Sequence, residues 1–233
     1  MIKEDFVAAM EFYKSQILDS TEPLPAVPGF SPQALRLLLN FLPKVLAPET
    51  RYLEIGTFYG ASLSAVLSGN QTVEALSIDH LNDLQGERLR LFVQQGVPPP
   101  VVWVSTPDQR RWINEVITTT GFGNAVFWEI DSLKLMPYRV LYVLPEGVNL
   151  FFYDGNHSYH ATFHNLIRFL PCCNNQTILV VDDITYDLVL PAVEDALDVG
   201  RWDVLSSYRL ETSGDEWGFA VYLISRRSGG EPK

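Results

Sequence analysis

Cysteine is nearly absent: the 233-residue chain has two, Cys172 and Cys173, side by side. A disulfide between neighbours is strained, and the pair offers no C-x-x-C metal spacing, so a disulfide framework and a cysteine zinc site are both excluded. The pair reads as small apolar residues in a reducing compartment. Positive charge is also scarce, with 17 Lys and Arg against 28 Asp and Glu and a net charge of -11. Phosphate backbones are held by clustered Lys and Arg, so nucleic acid is not expected as a partner. No apolar run approaches the length that spans a bilayer, and no apolar core follows Lys3, Glu4 and Asp5 as it would in a signal peptide. No membrane partner is expected, and the expected location is cytoplasmic.

One motif is conspicuously incomplete. Arg51 to Ile55 has the β-branched and aromatic content of a buried strand, Ala61 to Leu67 that of a helix, and Val73 to Asp79 that of a second strand ending in an acid. The turn between them reads Glu54-x-Gly56-x-x-x-Gly60. It lacks the middle glycine of the dinucleotide fingerprint G-x-G-x-x-G. A carboxylate at its start would repel a pyrophosphate and suits a ligand carrying an ammonium and a sulfonium. On Glu54, Gly56, Gly60 and Asp79 the chain resembles the class I S-adenosylmethionine-dependent methyltransferases. That resemblance implies cofactor contacts from Glu54, Gly56, Thr57, Tyr59, Gly60 and Ser62 on the turn, and from Asp79 and His80 after the second strand.

Apolar spacing predicts helices over 4–18 and from Ser31-Pro32 through Leu42. These helices cover a pocket or sheet edge, or form a homodimer contact. Further helices are expected over 84–95, 107–120, from His160 to about 170, and 188–198, and a short β-like run over 101–104. Ala125 to Ile130 competes with that run for the third strand and is preferred, because Asp131-Ser132 after it resembles the family's adenine-contacting motif. Asn149 to Asp154 and Thr177 to Val181 are the next two strands. The second is a continuous apolar run of the kind covered on both faces. Asp203 to Leu210 and Trp217 to Ser225 close the chain as a hairpin about Ser213-Gly214-Asp215. The expected fold is α/β: a doubly wound, mostly parallel seven-stranded sheet, Rossmann-like, with a C-terminal antiparallel hairpin and N-terminal helices. Residues 1–48 would form a helical extension, 49–226 the cofactor-binding domain and 227–233 a mobile tail.

In such a sheet ligands bind beyond the carboxyl ends of the strands, where Glu54, Asp79, Asp154, Asp182 and Asp183 all fall. Strands joined by one helix tend to be neighbours about 4.8 Å apart, so Asp154 and the Asp182-Asp183 pair can converge on one cation. Tyr153-Asp154-Gly155-Asn156-His157-Ser158-Tyr159 followed by Val180-Val181-Asp182-Asp183 resembles the metal-dependent O-methyltransferases of antibiotic sugars, the macrocin type. The resemblance spans residues 51–225. It implies that Asp154, Asp182 and Asp183 hold a magnesium ion that engages substrate hydroxyls, with Asp154 also meeting the cofactor. Those enzymes carry an aspartate base where this chain has Asn156, which accepts no proton at neutral pH. His157 next door can, and it is taken as the base. The three histidines 157, 160 and 164 share one side of a helix but have the spacing of a solvated face rather than a zinc site.

The reading is therefore O-methylation of a small molecule by S-adenosylmethionine. A protein that binds the cofactor without turnover is the alternative, made plausible by Asn156. An NAD-dependent oxidoreductase would need the missing glycine.

Overall fold

Side chains alternate across an extended strand, and in this chain both resulting faces are apolar, which forces helices onto both sides of the sheet. The computed structural model describes residues 3–20, 24–27, 31–46, 48–81, 106–120, 124–210 and 218–228. Along it run α1 (Lys3–Phe12), α2 (Gln33–Leu46), β1 (Thr50–Ile55), α3 (Ala61–Leu67), β2 (Val73–Asp79), α4 (Thr106–Thr120), β3 (Ala125–Glu129), α5 (Val140–Val143), β4 (Val148–Tyr153), α6 (Tyr159–Phe169), β5 (Cys173–Val181), α7 (Val189–Val199), β6 (Trp202–Leu210) and β7 (Phe219–Arg226). The strands form one seven-stranded sheet in the order β3-β2-β1-β4-β5-β7-β6. The first five run parallel, and β7 pairs antiparallel with both β5 and β6. This is the doubly wound sheet with a closing hairpin that the sequence predicts. The expected helix over 84–95, the run 101–104 and the turn at 213–215 lie outside the described residues.

Leu53, Ile55, Phe151, Tyr153, Leu179 and Val181 point to one face and pack with Leu166 and Phe169 of α6 and Val193 and Ala196 of α7. Tyr52, Leu150, Phe152, Ile178 and Val180 point to the other, against Leu35, Leu38, Leu39 and Leu42 of α2 and Phe6 and Met10 of α1. Those four α2 leucines have no exposed surface, and each contributes roughly 2 kcal/mol through burial. Among the described residues no helix is long and apolar enough to cross a membrane.

One helix departs locally from its expected course. The helix expected over 4–18 gives way at Tyr13 to a π turn, Tyr13–Ile17, closed by Leu18 N donating to Tyr13 O at 2.9 Å. The side chain of Tyr13 is wholly buried there, its hydroxyl donating to Ala34 O at 2.7 Å and its ring edge-on to Tyr208. β7 runs through Arg226, whose guanidinium lies 5.2 Å from the Trp202 ring centre. Arg227 then pairs with Asp198 at 2.9 Å and Asp203 at 2.8 Å. The two cysteines are free and buried, and burial pushes the Cys172 thiol up to about 11.

Candidate active site at the carboxyl rim of the sheet

The parallel ladders continue one residue past the strand ends, and this sets where the rim residues stand. Asp154 N donates to Ile55 O at 2.9 Å, Asp182 N to Tyr153 O at 3.0 Å, Gly56 N to Ile78 O at 2.9 Å and Ile130 N to Asp79 O at 2.8 Å. Glu129, Asp79, Gly56, Asp154 and Asp182 therefore line up in sheet order along one edge, a strand spacing of about 4.8 Å apart, with Asp131 two residues beyond Glu129.

The glycine turn is held by its own chain. Gly56 has φ +96°, and a Cβ there would overlap the carbonyl of Asp154 outright. Its missing side chain makes room for the neighbouring strand end rather than for a ligand. Gly60 has φ +85° and opens α3, and a Cβ on it would meet nothing nearer than Val116 Cγ2 at 3.6 Å. Glu54 has no exposed surface. The hydroxyls of Ser62 and Ser77 donate to its two carboxylate oxygens, and Thr57 Oγ1 bonds the Ser77 hydroxyl. Burial pushes Glu54 up to about 7 against the pull of those two hydroxyls. Four residues assigned to cofactor contact, Glu54, Thr57, Tyr59 and Ser62, are thus buried in the protein. Three of them spend their polar atoms on one another or on Ser77. Ser77 was not singled out from the sequence. The signal was there: a lone hydroxyl in the apolar run Ala75 to Ile78, in register with Glu54, has to find a buried partner.

Further along the rim, Asp79 is partly exposed and accepts from Phe58 N at 2.7 Å and Leu81 N at 2.9 Å. His80 is exposed, its Nδ1 3.6 Å from Asp79. Asp131 caps the short 3-10 turn 132–134 by accepting from Leu133 N at 3.0 Å, and Ser132 beside it is partly exposed. These four, with Asp154, keep surface that a ligand could reach.

The second group comes from β4 and β5. One atom each of Asp154, His157 and Asp183 lie within 4.8 Å of one another. His157 Nε2 stands 2.5 Å from Asp183 Oδ2 and 3.8 Å from Asp154 Oδ1, yet it makes no hydrogen bond of good geometry, and Asp183 Oδ1 has no partner at all among the described residues. Burial alone would lower the imidazole pKa, but Asp154 and Asp183 outweigh it and push His157 up to about 9. Burial, opposed by His157 and helped by the charge of Asp183, pushes Asp154 up to about 6. With no cation between the carboxylates the imidazole is protonated at neutral pH, the wrong state for the base expected of His157; a bound cation would displace that proton, since a ligating imidazole is neutral. Asp182, also expected to hold the ion, stands apart from these converging atoms. It is buried outside this group, and its Oδ1 accepts from Asp183 N at 2.9 Å. Burial, with the charges of Asp154 and Asp183, holds it well above the usual carboxylate range. Asp183 is turned inward by a left-handed backbone, φ +57°.

The donor set, two carboxylates and an imidazole with a buried oxygen left unpaired, fits a divalent cation. Tyr186, which the sequence did not single out, lies over it with its ring centre 4.9 Å from that of His157 and 44% of its surface exposed. Asn156, in the place of the expected base, serves the loop: its Oδ1 accepts from Ser158 N at 2.9 Å and its carbonyl from Tyr153 Oη at 2.7 Å. Ser158 then caps α6, accepting from Ala161 N at 3.3 Å. Ser158→Ala should cost about 1 kcal/mol in urea unfolding, the usual value of such a cap; an unchanged midpoint would show that the cap contributes nothing.

A family profile described as a methyltransferase domain matches residues 53–184, from β1 to the end of the Asp182-Asp183 pair. No curated protein matches the chain. Among solved structures, a protein of Klebsiella pneumoniae provisionally described as an O-methyltransferase superposes with a TM-score of 0.55 at 17% identity, covering 94% of this chain and 96% of that one. Cofactor-bound Rv0187 from MTB gives 0.54 at 16% identity, over 96% and 91%. TrmN from Thermus thermophilus gives 0.55 at 14% identity over 85% of this chain, which spans 50% of that protein's length. At these identities the structural likeness speaks for the fold. Taken with the profile that spans the glycine turn and both acidic strand ends, it means that the chain belongs to the methyltransferase-domain family and has the class I methyltransferase fold.

Proposed function

We propose that the protein transfers the methyl group of S-adenosylmethionine to a hydroxyl of a small molecule. The observation that carries this reading is the convergence on one rim of the glycine turn and the Asp154, His157 and Asp183 group, with Asp154 N bonded to the strand residue just before Gly56. In the reaction the sulfonium–methyl bond breaks as the oxygen–methyl bond forms, and the hydroxyl proton leaves to a nearby carboxylate. Without a cation Asp154, near 6, suits that role better than the imidazolium of His157; with one bound, Asp154 would be a ligand and the cation's pull on the acceptor hydroxyl would ease the proton's loss instead. Asp79 and His80, with Asp131 and Ser132, are the accessible residues proposed to meet the cofactor's ribose and adenine. A divalent cation, for which the resemblance names magnesium and Asp154, Asp182 and Asp183, would when bound lower the pKa of the acceptor hydroxyl.

The acidic charge of the chain argues for a small acceptor rather than nucleic acid. A calorimetric titration with S-adenosylhomocysteine tests the cofactor assignment, and methyl-labelled S-adenosylmethionine with a panel of sugar and phenolic hydroxyl compounds tests the transfer. Saturable binding with label in an ether product is expected. Stabilisation by NADH and none by S-adenosylhomocysteine would overturn it. The second reading, a protein that binds the cofactor without turnover, is favoured by Asn156, whose side chain is spent on Ser158 N. It predicts the binding and no label transfer.

A further inference from the structure

We infer that His157 is a metal ligand, and that the rim cation is a first-row transition ion of the manganese or cobalt class held by Asp154, His157 and Asp183 rather than magnesium held by three aspartates. The inference rests on the reading of this rim as the reaction site, and it replaces both the base role of His157 and the ligand role of Asp182.

The geometry separates the two adjacent aspartates. Asp182 gives an oxygen to Asp183 N and lies outside the group of converging atoms. Asp183 is turned the other way by its positive φ. Its side chain is 5% exposed, and its Oδ1 faces no donor among the described residues. A buried carboxylate oxygen without a partner is costly, and a cation removes that cost. His157 Nε2 has the same deficiency: it is buried and close to two carboxylates, but bonded well to neither. An imidazole nitrogen aimed into a pair of carboxylates is a ligand arrangement. Its ring is backed by the face of Tyr186, which limits its freedom to turn away. Chemistry then selects the ion. Oxygen-only sets suit magnesium and calcium, whereas a set with one imidazole nitrogen favours later first-row divalent ions.

The test uses the full chain and two probes, Mn²⁺ and Co²⁺, with Mg²⁺ as competitor. Pulsed electron paramagnetic resonance of the Mn²⁺-loaded protein should show coupling to a ligand nitrogen, and His157→Gln should abolish it. Calorimetry should show Co²⁺ bound at least about tenfold more tightly than Mg²⁺, with the gap closing in His157→Gln because the nitrogen is lost. Asp183→Asn should lose both ions. Asp182→Asn, whose amide oxygen can still accept from Asp183 N, should keep the nitrogen coupling. Failure to take up Mn²⁺, a signal without nitrogen coupling, or loss of metal in Asp182→Asn but not in His157→Gln would each overturn the inference. Thermal melts of each variant with S-adenosylhomocysteine check folding separately. Metal uptake with nitrogen coupling but no response to S-adenosylhomocysteine would sink the methyl-transfer reading alone.

Discussion

Gly56→Ala is expected to lower the melting temperature by about 10 °C and to abolish binding of S-adenosylhomocysteine. Two costs add at this position. An alanine at φ +96° pays roughly 1 to 2 kcal/mol for the left-handed backbone. Its Cβ would also overlap the Asp154 carbonyl, with Gly155 N only 3.0 Å away. Neither atom belongs to a flexible side-chain end, so β1 and β4 must separate, and overpacking of that kind costs typically 1 to 3 kcal/mol more. The sum, on the order of 2 to 5 kcal/mol, brackets the stated shift for a domain of this size. The strands that would part are the two that set the glycine turn beside Asp154, so the loss of binding should exceed what the stability change alone produces. Gly60→Ala is the control. It has the same kind of positive φ, but its Cβ would stop 3.6 Å from Val116, so only the backbone cost of roughly 1 to 2 kcal/mol is expected. Equal losses in the two variants, measured by thermal melting, would show that the clash with Asp154 plays no part.

This contrast also marks where the sequence is informative. The Glu54-x-Gly56-x-x-x-Gly60 turn is legible because glycines and a terminal acid stand out against apolar strands. The strand from Thr177 to Val181 is legible because its apolar run has no polar face. What each glycine makes room for is not legible, since the atom facing Gly56 comes from Asp154, a strand away. The same distance hides the partners of Glu54: Ser62 and Ser77 meet it only through the β1–β2 register and the position of α3. Of Asp182 and Asp183, a sequence shows two equivalent carboxylates. Which one turns toward His157 depends on the positive φ of Asp183, a conformation that a non-glycine residue seldom adopts and that no local pattern announces. The change at Tyr13 is similar. One helical turn widening from four to five residues leaves the spacing of Phe6, Met10, Tyr13 and Ile17 unaltered as a string, and the partner of the Tyr13 hydroxyl there, Ala34 O, lies 21 residues away.

Glu54→Gln should make the protein more stable above neutral pH and remove a pH dependence between about 4.5 and 7. The folded pKa of Glu54 is raised to about 7 from 4.5, chiefly by burial. A group whose pKa rises on folding favours the folded state fully below its unfolded pKa, and that contribution is lost as pH climbs through the folded value. With 1.36 kcal/mol per unit, the loss is about 3 kcal/mol between pH 4.5 and 8. Glutamine keeps the shape without the charge: one of the Ser62 and Ser77 hydroxyls goes on donating to its amide oxygen and the other turns to accept from its amide nitrogen. Urea midpoints of the two proteins should therefore agree near pH 4.5 and diverge to roughly 3 kcal/mol at pH 8, the variant being the more stable. Parallel curves would mean that Glu54 is as readily ionised in the folded chain as in the unfolded one. The reason for keeping so costly an acid can be tested on the same variant. If the carboxylate is retained for the cofactor's positive charge, Glu54→Gln weakens S-adenosylmethionine and leaves neutral-sulfur S-adenosylhomocysteine unchanged. If it serves only to brace the turn through Ser62 and Ser77, the two ligands shift together.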